Sequence, residues 1–285
     1  MIISLNGKPV DITLDTEKTL GDVLSGLENW ISSSGSRIKH IFVNGEPLSA
    51  NSISEEFEKK VEEIKELDII IISWGELAVE ALNSLLETCI LFEKTPFSDR
   101  GNLTSDWDGG PASRFLSTEV PDIYSLSKSF FSGEGLSSND LIILIEERIR
   151  EAENPRRETE NSRALVEGLS KRMEELPLDM QTGKDLRAAE TIQLFSRVCE
   201  KLFRILTICK MGGLPLDSFK IEELPAFNFM EEFNTALREL SIAYENQDTV
   251  LTGDIAEYEL SPRILKLHAA LIKFLDLNSP AISNP

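Results

Sequence analysis

The chain has 285 residues, 41% apolar and 27% charged, which is room for about two soluble globular domains. Its net charge of −20 repels phosphate backbones and anionic lipid, which argues against nucleic acid and membrane surfaces as partners. The most apolar short run, Ile69–Ser73, is far below the roughly 20 residues that cross a bilayer, and the opening MIISLNGKPV lacks a signal-peptide pattern. Three cysteines (Cys89, Cys199 and Cys209) show no CxxC spacing, so neither a disulfide frame nor a zinc site is implied. Each sits in an apolar helical pattern and reads as a small buried hydrophobe, so a reduced cytoplasm is the expected compartment.

In chain order, IISL and VDITL flank Asn6-Gly7, a pair that accepts positive φ at both turn positions and so predicts a β-hairpin. Pro9 comes next, without an N–H, which suits a strand start or an edge. Thr19 caps a predicted helix in which Leu20, Val23, Leu24, Leu27 and Ile31 share one face. IKHIFV is a third strand, stopped by Asn44-Gly45 with Pro47 after it. LDIIII is a last strand whose unbroken apolar run suits a central position. Between them SEEFEKKVEEIKEL is a short charged helix or an extended connection.

The order strand, strand, helix, strand, connection, strand, with Asn-Gly after the first and third strands, resembles the β-grasp (ubiquitin-like) fold. More narrowly, the stretches IISLNGKPVDI, KTLGDVLSGL, IFVNGEPL and KELDIIII resemble the sulfur-carrier proteins of thiamin and molybdopterin synthesis, over about residues 1–75. The resemblance implies a sheet curled around one helix. It also implies, for the family, a terminal Gly-Gly whose carboxylate is adenylated and thiolated. Here Gly75 is single and the chain runs on for some two hundred residues. Carrier chemistry therefore needs cleavage at that point, and the module is expected to act as a docking surface through its sheet edge and face.

From Gly75 the pattern turns helical, with Leu77, Ala81, Leu85, Thr88 and Phe92 on one side. Prolines and glycines then predict a long irregular loop over 95–138, apart from one short helix in VPDIYSLSKSFF. Ser137–Asp140 cap LIILIEERIREAE, Thr159 starts the next helix, and Pro177 punctuates it. The longest helix places Phe195, Val198, Leu202, Ile205 and Cys209 at 3-4-3-4 spacing and ends at Gly212-Gly213. The spacing recurs at Met230, Phe233, Leu237, Leu240 and Tyr244, then at Ile264, Leu267, Leu271 and Phe274. Such stripes bury against one another in an antiparallel bundle. Pro262 either begins the last helix with Ser261 as cap or kinks a longer one from about Thr249. The expected organisation is α+β: a β-grasp domain over 1–75, an all-α helical bundle over 76–278, and a disordered tail over 279–285.

No catalytic constellation emerges. MQTGKD has Leu178 where a phosphate loop needs glycine and Asp185 where it needs Ser or Thr. SGEGLSSND has Ser138 in place of the third glycine of a dinucleotide motif, and SDWDGG fails calcium-loop spacing. The two histidines, His40 and His268, sit in a strand and a helix with no local nucleophile motif beside them. Trp107, with Phe97 and Phe115, forms an aromatic group in the 95–138 segment. It is either a protein contact or a clamp holding that segment on the bundle. Asp254, Glu257 and Tyr258 share a helical face that either holds a cation or is simply solvated. No catalytic residue, cofactor or metal ligand is assigned. The expected function is that of a non-enzymatic cytoplasmic adaptor or scaffold binding proteins that carry a basic patch. The alternative is an enzyme or metal-dependent protein with a carboxylate site in the helical domain.

Overall fold

The computed structural model describes residues 1–14, 16–48 and 56–278. Strands β1 (Ile2–Leu5), β2 (Lys8–Val10), β3 (Ser36–Val43), β4 (Glu46–Pro47) and β5 (Glu66–Ser73) form one mixed sheet in the order β2-β1-β5-β3-β4. β1 runs parallel to β5 and the other pairs are antiparallel, with an irregularity in β3 between Ile38 and His40. The apolar run of β5 does hold the centre, where both neighbours draw on it.

Helix α1 (Leu20–Ser33) buries Leu20, Val23, Leu24, Leu27 and Ile31, the five residues of the expected stripe, in a core shared with Ile3, Val43, Leu67 and Ile69. Its start is a capping box: the Asp22 amide donates to Thr19 Oγ1 and the Asp22 carboxylate accepts from the Thr19 amide at 3.0 Å. The backbone amides of Lys18 and Thr19 hold the Asp22 carboxyl below its ordinary value.

Each part of the twice-used Asn-Gly-x-Pro has its own task. Asn6 and Gly7 adopt φ of 50° and 73°, and Asn44 and Gly45 adopt 53° and 88°, as a two-residue hairpin turn demands. The asparagine side chains then reach the central strand. Asn6 Oδ1 accepts from the Ile71 amide at 2.8 Å, and Asn44 Oδ1 accepts from the amides of Lys65 and Glu66 at 2.8 and 3.1 Å. The prolines blunt the sheet. Leu48 N–H donates to Ile41 O, so Phe42 and Pro47, one step along, form a pair without ladder bonds, and the nitrogen of Pro47 faces away from β3. The hairpin register puts Pro9 opposite Ser4 in the same way on β2. Both outer strands therefore lack a donor at one place where a further strand would dock.

The chain divides into two compact units, 1–153 with 211–214, and 154–210 with 215 onward. The first unit contains the sheet and also α2 (Trp74–Lys94), α3 (Arg100–Asp108), α4 (Pro111–Glu119), α5 (Pro121–Phe131) and α6 (Ser138–Glu153). Within it the apolar residues form two cores. One is the sheet with α1; the other gathers Leu82, Leu85, Cys89, Leu116, Ile123, Leu141 and Ile145 from α2 to α6. No linker separates strand from helix. Ser73 ends β5 and is the N-cap of α2, accepting from the Glu76 amide while Glu76 accepts from the Ser73 amide at 3.0 Å. The Ser73 hydroxyl and amide hold the Glu76 carboxyl below its ordinary value.

The irregular loop expected over 95–138 is instead largely helical. Pro111 and Pro121 are not breaks: each stands in the first turn of a helix, where a missing N–H costs nothing. In α2 the buried face is Ala78, Ala81, Leu82, Leu85, Cys89 and Phe92, so the stripe passes through Cys89 where the sequence suggested Thr88.

The second unit holds α7 (Pro155–Asn161), α8 (Arg163–Glu174), α9 (Leu176–Gln181), most of α10 (Asp185–Met211), a two-stranded ribbon of β6 (Lys220–Ile221) and β7 (Leu224–Pro225), α11 (Ala226–Glu245), α12 (Thr249–Asp254) and α13 (Ser261–Asn278). Asn154 caps α7 by accepting from the Arg157 amide at 2.9 Å, so helix begins earlier than Thr159. The α10 stripe is buried as expected. α11 buries Phe229, Phe233, Ala236, Leu240 and Ala243, a face turned slightly from the expected one. Phe233 meets Phe195 and Phe203 of α10 edge-on at 6.2 and 5.8 Å.

Between α12 and α13 residues Ile255–Leu260 form a π-helix, so the helix from Thr249 runs on past Pro262. The wider turn has a local cause: Pro262 brings no N–H and its ring would clash with the carbonyl four residues back. Arg263 Nη1 donates to the Glu259 carbonyl at 3.0 Å. Ser261 is therefore no cap. It is buried, sharing a 2.7 Å hydrogen bond with Ser170 and donating to Glu174 at 3.0 Å, which ties α13 to α8. The tail expected over 279–285 lies outside the described residues.

Candidate functional site

A groove lies in the second unit between α11 and the wall made by α12 and the π-helix. Its larger cavity, about 910 Å³, is lined from α11 by Asn228, Glu231, Glu232, Thr235 and Glu239, and from the wall by Leu251, Asp254, Ile255, Tyr258 and Glu259. A second cavity of about 410 Å³ adjoins it, sharing Glu239, Leu251 and Ile255 and extending to Ile242 and Asn246. On α11 the positions 228, 232, 235, 239, 242 and 246 follow 4-3-4-3-4 spacing. They form a single stripe beside the buried face, and a helix cannot avoid presenting such a stripe to whatever lies alongside it.

Two kinds of side chain line the groove. Ile242, Leu251 and Tyr258 are exposed although apolar or aromatic, with Tyr258 at 66%. Around them stand six carboxylates, Glu231, Glu232, Glu239, Asp248, Asp254 and Glu259, against Arg263, the one cation among the described lining residues. Arg263 is itself bonded to the Glu259 carboxylate. The Glu257 carboxylate, hydrogen-bonded to the Tyr258 phenol, pushes that hydroxyl above its ordinary value, with Asp254 acting in the same direction. Such an arrangement attracts positive charge and covers apolar surface at once.

Of the residues singled out from sequence, Asp254 and Tyr258 do line this groove, while Glu257 stands beside them. Among the described residues, no group of three or more His, Cys, Asp or Glu side chains is gathered as a metal site would need. The aromatic group divides. Trp107 is buried, stacked on Tyr124 at 6.0 Å and edge-on to Phe131 at 5.5 Å. Phe115 lies 6.1 Å from Trp74, whose Nε1–H donates to Glu119 at 2.9 Å. These two clamp the short helices in place. Phe97 alone projects, 90% exposed.

His40 is exposed on β3 opposite Ile70, and His268 is buried, donating from Nε2 to the Thr159 carbonyl at 2.8 Å. All three cysteines are buried free thiols. Burial pushes Cys89 and Cys209 up to about 12, and Cys199 higher still. None of these groups is poised for nucleophilic work. A separate cavity of about 610 Å³ in the first unit lies between Val10–Leu14 and α1, with Trp30 half exposed at its rim. No described helix is long and apolar enough to cross a membrane.

Residues 1–73 match the family model described as the TP0873 N-terminal domain. That match stops at Ser73, where β5 becomes α2. Residues 158–270 match a second model, described as a domain of unknown function (DUF8042), which apart from 211–214 falls in the second unit and includes the whole groove. An uncharacterized protein of Treponema pallidum (strain Nichols) is 20% identical over 272 residues, covering 95% of this chain and 96% of that one. No solved structure matches.

Proposed function

We propose that the chain is a non-enzymatic cytoplasmic adaptor, in which an N-terminal β-grasp domain and an acidic helical unit bind partner proteins carrying basic patches. The β-grasp assignment is supported by a five-stranded mixed sheet with parallel β1 and β5 at its middle and one helix packed on it. On this reading the resemblance to sulfur carriers is one of frame and not of chemistry, since Ser73 passes straight into α2. With both edges blunted by proline, the sheet offers its face, where Phe42, Ile70 and Ile72 stay half exposed.

The observation that carries the reading is the groove: exposed Leu251 and Tyr258 set among carboxylates, in a chain of net charge −20. Immobilised full-length protein, with crosslinking of native-host extract at low and at high salt, tests it. The expected result is a discrete partner captured at low salt and released at high salt. Capture indifferent to salt removes the electrostatic part, and absence of any crosslinked partner overturns the reading.

A further inference from the structure

We propose that the groove of the second unit receives one amphipathic α-helix of a partner protein, apolar along a single stripe and basic on both flanks. This rests on the interaction reading above and names the partner's chemistry.

The walls dictate the guest's shape. Both are helices, whose backbone groups are bonded internally, so the groove has no strand edge to pair an extended peptide. A guest must bring its own backbone hydrogen bonds, and a helix does. The groove runs along α11 from Asn228 to Asn246, 18 steps of 1.5 Å or about 27 Å, enough for roughly five turns lying alongside.

The lining dictates its surface chemistry. Exposed Ile242, Leu251 and Tyr258 give three apolar footholds, which a stripe spaced i, i+4, i+7 can cover. Glu232 and Glu239 on one wall and Asp254 on the other leave charge on both sides of that stripe. Lysine or arginine flanking the guest's apolar residues answers both sides together. The carboxylates stand apart on opposing walls, not gathered as ion ligands, so they select an extended cationic surface over a bound metal.

The test uses the full chain and a fluorescein-labelled synthetic helix of about 18 residues with leucines on one stripe and lysines on both flanks. An isomer of identical composition, with its leucines dispersed around the helix, is the control for plain charge attraction. The expected result is saturable binding of the striped peptide, at least about tenfold tighter than the isomer. Glu232→Lys with Glu239→Lys weakens it about tenfold or more, and Leu251→Ser with Tyr258→Ser does likewise. Glu62→Lys with Glu63→Lys, the same charge change at exposed sites in the first unit, leaves it within about twofold. All the groove positions substituted are exposed, and circular dichroism confirms that the variants stay folded. Equal binding of the isomer, or equal loss from the first-unit reversal, overturns the helix-in-groove inference. If the striped peptide fails to bind while native partners still crosslink at low salt, the inference falls and the adaptor reading stands. If the peptide binds and no native partner crosslinks, the adaptor reading falls.

Discussion

Pro9 and Pro47 occupy equivalent places on opposite edges of one sheet, each two residues past an Asn-Gly turn and each across from a residue it does not bond. Together they remove an outward amide from both places where a further strand would dock. Replacing both with valine keeps the pairing with β1 and β3, because neither proline nitrogen faces its neighbour. The expected outcome is a folded protein that self-associates with rising concentration, seen as increased mass by light scattering. A strictly monomeric double variant across the same range would show that the prolines have no such task.

The capping box at the strand-to-helix junction makes a pH-dependent contribution. Ser73→Ala is expected to cost about 1 kcal/mol in urea unfolding. The folded Glu76 carboxyl lies below its ordinary value, so its contribution is fully present above the unfolded carboxyl's titration range and fades as pH falls through the folded one. The stability gap between the wild type and Glu76→Gln should therefore close on acidification below the ordinary glutamate range. A gap that widens with acid contradicts the assignment.

Gly253 packs against a ring. A methyl group there would come within 2.8 Å of Pro177 Cγ, in the contact between α12 and α9. Gly253→Ala should destabilise the second unit by about 1–3 kcal/mol, despite the better helix propensity of alanine. Because α12 forms part of the groove wall, the same variant should also weaken binding of the striped peptide. A stabilised variant, read by thermal unfolding, would reject the close contact.

The three thiols are buried and held protonated. At mildly alkaline pH the folded protein should give almost no reaction with a disulfide reagent such as Ellman's, and three equivalents once denatured in urea. Rapid reaction of even one thiol in the folded state would place that cysteine at the surface.

The sheet was legible because its determinants are local: positive φ at Asn-Gly, an unbroken apolar run in β5, one five-residue apolar stripe in α1. The faces of α10 and α13 were legible for a similar reason, since long helices average out single exceptions. The short helices of 95–138 were not, because proline and glycine there were counted as breakers when Pro111 and Pro121 stand at helix starts. The β6–β7 ribbon escaped notice because Glu222 takes φ of 57° at its turn, where no Asn-Gly announces one. Phe219 and Ile221, both just before that turn, are buried. Of the groove, Asp254 and Tyr258 were visible as neighbours on one face. The facing stripe of α11 was not, since exposed positions carry no periodic apolar signal and only tertiary packing sets them opposite.

Because Ser73 is at once the end of a strand and the cap of a helix, no stretch of slack chain separates the sheet from α2. A protease needs several residues of extended backbone, and here it would first have to unwind that helix and pull Trp74 out of its packing. In the folded protein the sheet thus ends at the start of a helix and not in a free tip.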